Sequence, residues 1–246
     1  MRIAGFFPQA GVVAFLMAAL PPVAPAQSGN FTIALNGHAV GTASFHTAAA
    51  KDGLDKDGQE SSSLVRLSMT GLNYALSKTE RLSPANQLEH AHLSATVNGE
   101  AVTVEAAPAA AQLVLKISAG GKNTVTPLPA YEAAVLLPDF DPGALETLLA
   151  LAAQRNNRDL WAILPKNAGS VAPVEIATYA DQQGTLDGKP IVVHHLIATI
   201  AGAKTDLFAG LENQLLQAEL PQQGFALVRD GFALTPPAKP IAQPAN

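Results

Sequence analysis

Three two-residue turn signals constrain the fold of this chain more than any other feature. Asn36-Gly37, Asn98-Gly99 and Asp187-Gly188 each separate two runs rich in apolar and β-branched residues. Such pairs supply the positive φ angles that a type I′ turn requires, and they join antiparallel strands. The run at 31–35 and the run at 39–46 therefore form the first predicted hairpin.

Further strand-like runs follow at short spacing along the whole chain. Gly120-Gly121 marks one more turn between them. Regular spacing of short strands and turns is typical of an antiparallel meander. We therefore expect a mainly β fold, an open or half β-barrel of about eleven strands. The runs lie at 63–70, 73–81, 87–97, 101–105, 112–118, 160–164, 174–180, 190–200, 205–209, 215–220 and 225–229.

One segment, "VLLPDFDPGALETLLALAAQRNNRDLWAILP", breaks this pattern and predicts a helix near 142–155. Asp141 can cap the helix, and Pro142 suits its first position. Arg155 suits the last turn, and Asn156 or Asn157 can end it. We expect the apolar stripe of this helix to lie against the sheet. The stripe consists of Leu145, Leu148, Leu149 and Ala152, at spacings i, i+3, i+4 and i+7.

The two ends of the chain differ from its middle. Residues 1–26 have the form of a signal peptide, with Arg2, an apolar stretch at 11–20 and small residues before Gln27. That stretch is too short for a membrane anchor, and we expect no transmembrane span in the mature chain. We expect a single β domain at 27–234 and a Pro-rich, poorly ordered tail at 235–246. The predicted location is the periplasm or the extracellular medium.

Composition and motifs exclude several classes of function. The chain has a net charge of -5, which argues against a nucleic-acid partner. It has no cysteine, so the core must hold without disulfides, and a cysteine nucleophile is excluded. No G-x-S-x-G turn, H-E-x-x-H helix, phosphate loop or dinucleotide fingerprint is present. We therefore predict no catalytic residue and no cofactor, and a role other than catalysis is favoured.

Adjacent histidines stand in the apolar run "KPIVVHHLIATI". Successive side chains of a strand point to opposite faces, so His194 and His195 cannot converge on one metal without a bulge. Their neighbours are apolar on both faces, which predicts a strand that is covered on both sides. The helix can cover one face, and a barrel interior, a second layer or a ligand must cover the other.

Two other segments suggest metal ions. His90 and His92 share a strand face, but no third zinc ligand has a compelling spacing. The polar loop at 51–60 contains Asp55 to Gly58, but calcium ligands would fall on Gly53 and Leu64. We therefore predict no metal site.

Aromatic residues are the candidates for ligand contact. Core packing is the alternative role for each of them. In a curved sheet, however, they could line an apolar cavity. The predicted ligand-binding residues are Phe31, Tyr74, Trp161, Tyr179 and Phe208.

The order of several stretches resembles exported bacterial proteins of unknown function. These stretches are "NGHAVGTASF", "LLPDFDPGALETLLALA", "GTLDGKPIVVHHL", "TDLFAGLENQLLQAEL" and "FALVRDGF". Such proteins are similar in outline to the lipoprotein-carrier and lipoprotein-receptor families of the bacterial envelope. The resemblance implies an open half-barrel that curls around a hydrophobic cavity closed by helices. No functional residue is carried over from it.

Three hypotheses of function follow. The first is an exported envelope protein that binds a lipid or acyl chain in a half-barrel cavity. The second is a structural or interaction module of the envelope, with a filled core and an envelope protein as its partner. The third is a hydrolase or metal-dependent enzyme that uses His90 and His92.

Overall fold

The computed structural model describes residues 27–50, 58–110 and 112–236. The predicted signal peptide, residues 51–57 of the polar loop and residues 237–246 of the predicted tail lie outside this part. The described elements, in chain order, are β1 (Gln27–Leu35), β2 (His38–Ala49), β3 (Gln59–Met69), β4 (Leu72–Leu82), β5 (Leu88–Val97), β6 (Glu100–Ala109), β7 (Gln112–Ala119), β8 (Lys122–Pro129), β9 (Ala134–Leu136), α1 (Pro142–Arg155), β10 (Leu160–Leu164), a 3₁₀ turn (Pro165–Asn167), β11 (Ser170–Thr178), β12 (Gln182–Leu186), β13 (Lys189–Ile200), β14 (Ala203–Ala209), β15 (Leu215–Leu220), β16 (Phe225–Arg229) and β17 (Phe232–Leu234).

The strands form one curled sheet. From β8, each strand pairs with its predecessor back to β1, and β1 then pairs with β16. The sheet continues through β15, β14, β13, β11 and β10 to β9. Every pairing is antiparallel except β9 with β10. No pairing joins the edge strands β8 and β9 within the described residues, so the barrel-like sheet is open.

The prediction of a mainly β, barrel-like fold with one helix is confirmed, but the strand number is not. The sheet has seventeen strands, where we expected about eleven, although the chain shows thirteen strand-like runs. The four remaining segments lacked a recognisable strand pattern. β9 and β17 have only three residues each, β12 is rich in Gln and Gly, and β8 contains Pro127 and Pro129. Proline cannot donate to a ladder, which explains its place in an edge strand.

The three predicted turns have the expected backbone. Asn36, Asn98 and Asp187 have φ angles of 50°, 51° and 51°, and the glycine after each is also at positive φ. Positive φ at both central residues is the geometry of a type I′ hairpin turn. These turns therefore set the registers of β1 with β2, β5 with β6 and β12 with β13.

Helix α1 lies inside the curled sheet instead of on one surface of it. It contacts β2, β3, β9, β10 and β15. The predicted stripe of Leu145, Leu148, Leu149 and Ala152 is buried, but Glu146 and Thr147 are buried as well. The helix therefore fills the interior of the barrel, with polar groups that must find partners there.

Strand β13 is covered on both faces by different parts of the chain. Ala198 and Ile200 face the main core around α1. Val193 belongs to a second cluster with Phe208, Leu216 and Phe232. The first half of β13 pairs with β12, which in turn pairs with β17. A small second layer therefore covers the face that α1 does not reach.

The second layer gives a first prediction. Phe232 is 6% exposed and supplies the largest side chain of β17 to this cluster. Phe232→Ala should lower the free energy of unfolding by about 3–5 kcal/mol, the usual cost of removing a buried aromatic ring. Urea unfolding measures this.

Leu211→Ala serves as the control, since Leu211 is 69% exposed and should change stability by no more than about 0.5 kcal/mol. If Phe232→Ala behaves like this control, β17 does not cover β13.

Candidate functional site

Two residues of opposite charge alternate along the inward face of β4. Lys78 and Glu80 both point to the barrel interior, where their side chains are at most 1% exposed. The Lys78 Nζ atom lies 2.7 Å from Asp141 Oδ2 and 3.0 Å from Glu80 Oε2. We call Lys78, Glu80 and Asp141 the buried triad; it joins the sheet to the residue before α1.

Burial and neighbouring charges act in opposite directions on the pKa of Lys78 and on that of Glu80. Burial lowers the pKa of Lys78, but the carboxylates of Asp141 and Glu80 outweigh burial and raise it overall. Burial raises the pKa of Glu80, and Lys78 only partly offsets this. Lys78 therefore remains charged, and Glu80 is a more weakly acidic carboxyl than usual.

The buried triad also fixes the start of α1. Asp141 Oδ1 accepts hydrogen bonds from the backbone N–H groups of Gly143, at 2.9 Å, and Ala144, at 3.2 Å. A Cβ atom on Gly143 would collide with Ser63 Oγ on β3. The helix terminus is therefore pressed against the sheet, and one carboxylate serves both as cap and as counter-ion.

A second buried carboxylate holds the next turn of α1. Glu146 Oε2 accepts a hydrogen bond of 2.5 Å from the Leu215 N–H at the start of β15. The Arg229 guanidinium donates to the carbonyl of the same Leu215, at 3.2 Å. Burial raises the pKa of Glu146 to about 7, against the lowering effects of the Leu215 N–H and of Arg229.

A small pocket opens at the end of the barrel beside the start of α1. We call it the mouth pocket; its volume is about 250 Å³. Most of its lining is apolar and comes from the loop before α1, β10, the β13–β14 turn, β15 and β16. The lining residues are Leu137, Pro138, Asp139, Phe140, Asp141, Leu145, Leu164, Lys166, Asn167, Ile200, Ala201, Ala203, Thr205, Leu220, Gln223 and Leu227.

Phe140 occupies an unusual backbone conformation in the wall of the mouth pocket. Its φ angle is 59°, in the left-handed region that a bulky side chain rarely adopts. Its ring packs edge-on against Phe225, with centroids 4.9 Å apart, and against Tyr74, at 6.2 Å. The Tyr74 hydroxyl donates to the Asp139 carbonyl at 3.4 Å. Neighbouring aromatic groups thus hold the strained loop in place.

An ion pair stands at the rim of the mouth pocket. Lys166 Nζ lies 2.6 Å from Asp139 Oδ1, and the two side chains are 57% and 45% exposed. Lys166 belongs to the 3₁₀ turn that directly follows β10. The mouth pocket therefore combines an apolar floor with one cation and one anion at its entrance.

A larger groove, of about 750 Å³, runs over the ends of β2 to β5. It brings together His46 and His90 with Glu60 and Arg81. His92 lies in another row, opposite Thr79 and Glu105. Within the part of the chain that the structure describes, no three His, Asp or Glu side chains are arranged to hold a metal ion.

The adjacent histidines bind different partners. His194 Nδ1 lies 2.8 Å from Asp181 Oδ1, and His195 Nε2 lies 2.8 Å from Asp206 Oδ1. The His195 ring also stacks on Phe208, with centroids 4.8 Å apart. The two imidazoles therefore do not form a common site, as strand parity predicts.

The predicted ligand-binding residues are spread over the molecule. Phe31 lies in the main core beside Phe45, and Phe208 lies in the second cluster. Trp161 packs on Tyr131, and Tyr179 is 51% exposed beside His195. Only Tyr74 among the five approaches the mouth pocket, through Phe140. Their role in ligand contact stays a prediction.

Sequence patterns did not single out Phe140 or Lys166. Phe140 stands in "PDFDPG", where its neighbours suggested only a turn and a helix cap. A bulky aromatic residue between two such aspartates is the one local signal for a constrained loop. Lys166 has no sequence signal, because its partner Asp139 is 27 residues away.

The fold defines a class: an open, barrel-like antiparallel sheet wrapped around one helix. No protein-family model and no curated protein matches the chain. It is similar to the crystal structure of a β-barrel-like protein of domain of unknown function DUF1849 from Brucella abortus. The TM-score is 0.54 and the identity 11%, over 86% of this chain and 98% of the other. At this identity the likeness concerns the fold alone.

Among residues 27–50, 58–110 and 112–236, no helix has the length and apolar character needed to cross a bilayer.

The buried triad gives a second prediction. Lys78→Met removes the cation and leaves Asp141 and Glu80 buried without it, which should cost about 3–5 kcal/mol of stability. The triple variant Lys78→Met, Glu80→Met, Asp141→Asn should recover most of this loss, because Asn can still cap α1. Urea unfolding of both variants measures the difference. A triple variant less stable than Lys78→Met would contradict the account.

Glu146 gives a third prediction. Its pKa is raised in the folded state, so the folded protein binds a proton that the unfolded chain releases above pH 4.5. Stability should therefore fall as the pH rises from about 4.5 through 7, and Glu146→Gln should weaken this dependence. Thermal unfolding between pH 5 and pH 8 measures it.

Glu100→Gln, on the exposed start of β6, should retain the wild-type pH dependence. An unchanged slope in Glu146→Gln would mean that Glu146 is not the titrating group.

Proposed function

We propose that this protein is an exported envelope protein that binds the acyl chain of a lipid-like ligand in the mouth pocket. The observation that carries the proposal is the pocket itself. It is concave and largely apolar, with a few polar groups at its entrance, as small-molecule sites usually are.

Size limits the ligand to one chain. The mouth pocket of about 250 Å³ lies below the usual range of roughly 300–1,000 Å³ for drug-sized ligands. The rest of the barrel interior is filled by α1, whose residues Leu148 and Leu151 are fully buried. A single acyl chain fits this arrangement better than a two-chain lipid.

Backbone strain supports a specific role for the loop before α1. The left-handed backbone conformation of Phe140 costs about 1–3 kcal/mol of stability. Such strain is often retained at ligand sites. It directs the Phe140 ring into the pocket wall while Asp139 stands at the rim.

The proposal of export rests on the sequence. The signal-like residues 1–26 support a periplasmic or secreted location. The resemblance in outline to lipoprotein-carrier and lipoprotein-receptor families, noted from the sequence, favours a lipid or acyl-chain ligand. The ligand here would occupy the mouth of the barrel, because α1 fills its interior.

A second candidate function is a structural or interaction module of the envelope. The filled barrel interior favours it, because a packed core leaves the surface as the functional part. The enzyme hypothesis based on His90 and His92 has less support, since within the described residues no third His, Asp or Glu side chain joins them to hold a metal ion.

The fourth prediction tests the mouth pocket. Dodecyl maltoside, an uncharged single-chain amphiphile, should bind one to one below its micelle concentration, as measured by isothermal titration calorimetry. Ala203→Trp fills the pocket from an exposed position and should weaken binding at least about tenfold.

Ala39→Trp, exposed on β2 and outside the pocket lining, should leave the affinity unchanged. No saturable binding, or equal affinity in both variants, would contradict the proposal.

Protein recovered from the cell envelope should begin at Gln27, and an uncleaved chain in the cytoplasm would contradict export.

A further inference from the structure

We infer that the ligand of the mouth pocket is a single-chain amphiphile with a zwitterionic headgroup, whose anion contacts Lys166 and whose cation contacts Asp139. This inference rests on the proposed function, since it concerns the headgroup of the same ligand.

The rim of the mouth pocket has two charged side chains that solvent can reach. Asp139, Asp141 and Lys166 are the charged residues of the mouth pocket lining. Asp141 is fully buried and already bound to Lys78 at 2.7 Å. Lys166 and Asp139 are about half exposed, with their charged atoms 2.6 Å apart. The entrance therefore offers one cation and one anion to a ligand.

The ion pair at the rim can exchange partners. Exposed pairs add little to stability, because water solvates both groups well when they separate. A headgroup can therefore insert between Lys166 and Asp139 without a large loss. Asp139 is also held by its backbone, since its carbonyl accepts a hydrogen bond from Tyr74. Its carboxylate thus stays at the rim when the partner changes.

Three kinds of charged headgroup behave differently at this rim. An anionic headgroup can bind Lys166 but is repelled by Asp139 at close range. A cationic headgroup can bind Asp139 but is repelled by Lys166. A zwitterionic headgroup gives both rim residues a partner of opposite charge, so each charge of the headgroup is attracted by one of them. Charge complementarity therefore selects the zwitterion.

Three uncharged polar residues also line the mouth pocket. Asn167, Thr205 and Gln223 can donate or accept hydrogen bonds there. They suit a headgroup with several oxygen atoms, such as a phosphate ester. The floor below, with Leu145, accepts the chain.

The experiment compares dodecyl probes with different headgroups below their micelle concentrations. Dodecylphosphocholine is zwitterionic, dodecanoate anionic, dodecyltrimethylammonium cationic and dodecyl maltoside uncharged. Titration calorimetry at low salt gives the four affinities, and circular dichroism verifies that the protein stays folded. The wild type should bind the zwitterion about fivefold more tightly than either the anion or the cation.

Two variants separate the charges. Lys166→Gln should weaken the binding of dodecylphosphocholine about threefold and strengthen the binding of dodecyltrimethylammonium. Asp139→Asn should weaken the binding of dodecylphosphocholine about threefold and strengthen the binding of dodecanoate. Lys122→Gln and Glu100→Gln, exposed on β8 and β6 and outside the pocket lining, are matched controls and should change none of these affinities.

The outcomes distinguish the inference from the proposed function. Equal affinities for all four probes, abolished by Ala203→Trp, would overturn the zwitterionic headgroup and leave the apolar pocket in place. If dodecanoate binds most tightly, the headgroup of the ligand is an anion and the inference of a zwitterion is wrong. Failure of every probe, dodecyl maltoside included, would overturn the proposed function and this inference together.

Discussion

The ion pair between Lys78 and Asp141 is the contact on which the rest of the structure depends. It joins the inward face of β4 to the N-cap residue of α1 over 2.7 Å, without access to water. Removing either partner leaves a buried charge without compensation. With Glu146 bound to the start of β15, this pair sets where the helix lies inside the sheet. The position of the helix then decides which part of the interior stays open.

The same arrangement explains how an open sheet can have a buried core. Within the described residues the edges β8 and β9 do not pair, so closure by hydrogen bonds does not seal the barrel. Instead, α1 supplies apolar side chains to the centre, and the β12–β17 layer covers the outer face of β13. Among the described residues, the mouth pocket lies beside the start of α1 and the strained Phe140, apart from the larger groove over β2 to β5. The proposed acyl-chain ligand would therefore lie at this end of the fold.

Local rules predicted much of this fold. The turns at Asn36, Asn98 and Asp187 and the bounds of α1 follow from backbone preferences that act within a few residues. The short strands β9 and β17 have no such signal, since they form only because partner strands reach them. The buried triad and the rim pair join residues far apart in sequence, such as Lys78 with Asp141. Such contacts depend on the curl of the sheet, which a single sequence does not encode locally. Of the five aromatic residues predicted to contact a ligand, only Tyr74 approaches the mouth pocket, and the role of all five stays a prediction.

The central claim is that α1 stays in the barrel and confines an acyl chain to the mouth pocket. The most direct measurement is paramagnetic broadening of leucine methyl signals by a dodecyl amphiphile with a nitroxide on its chain. The account predicts much stronger broadening of Leu145, Leu164 and Leu220, which line the mouth pocket, than of Leu93 in the main core. Equal broadening of Leu93 would mean that the chain enters the space filled by α1, and would contradict the account.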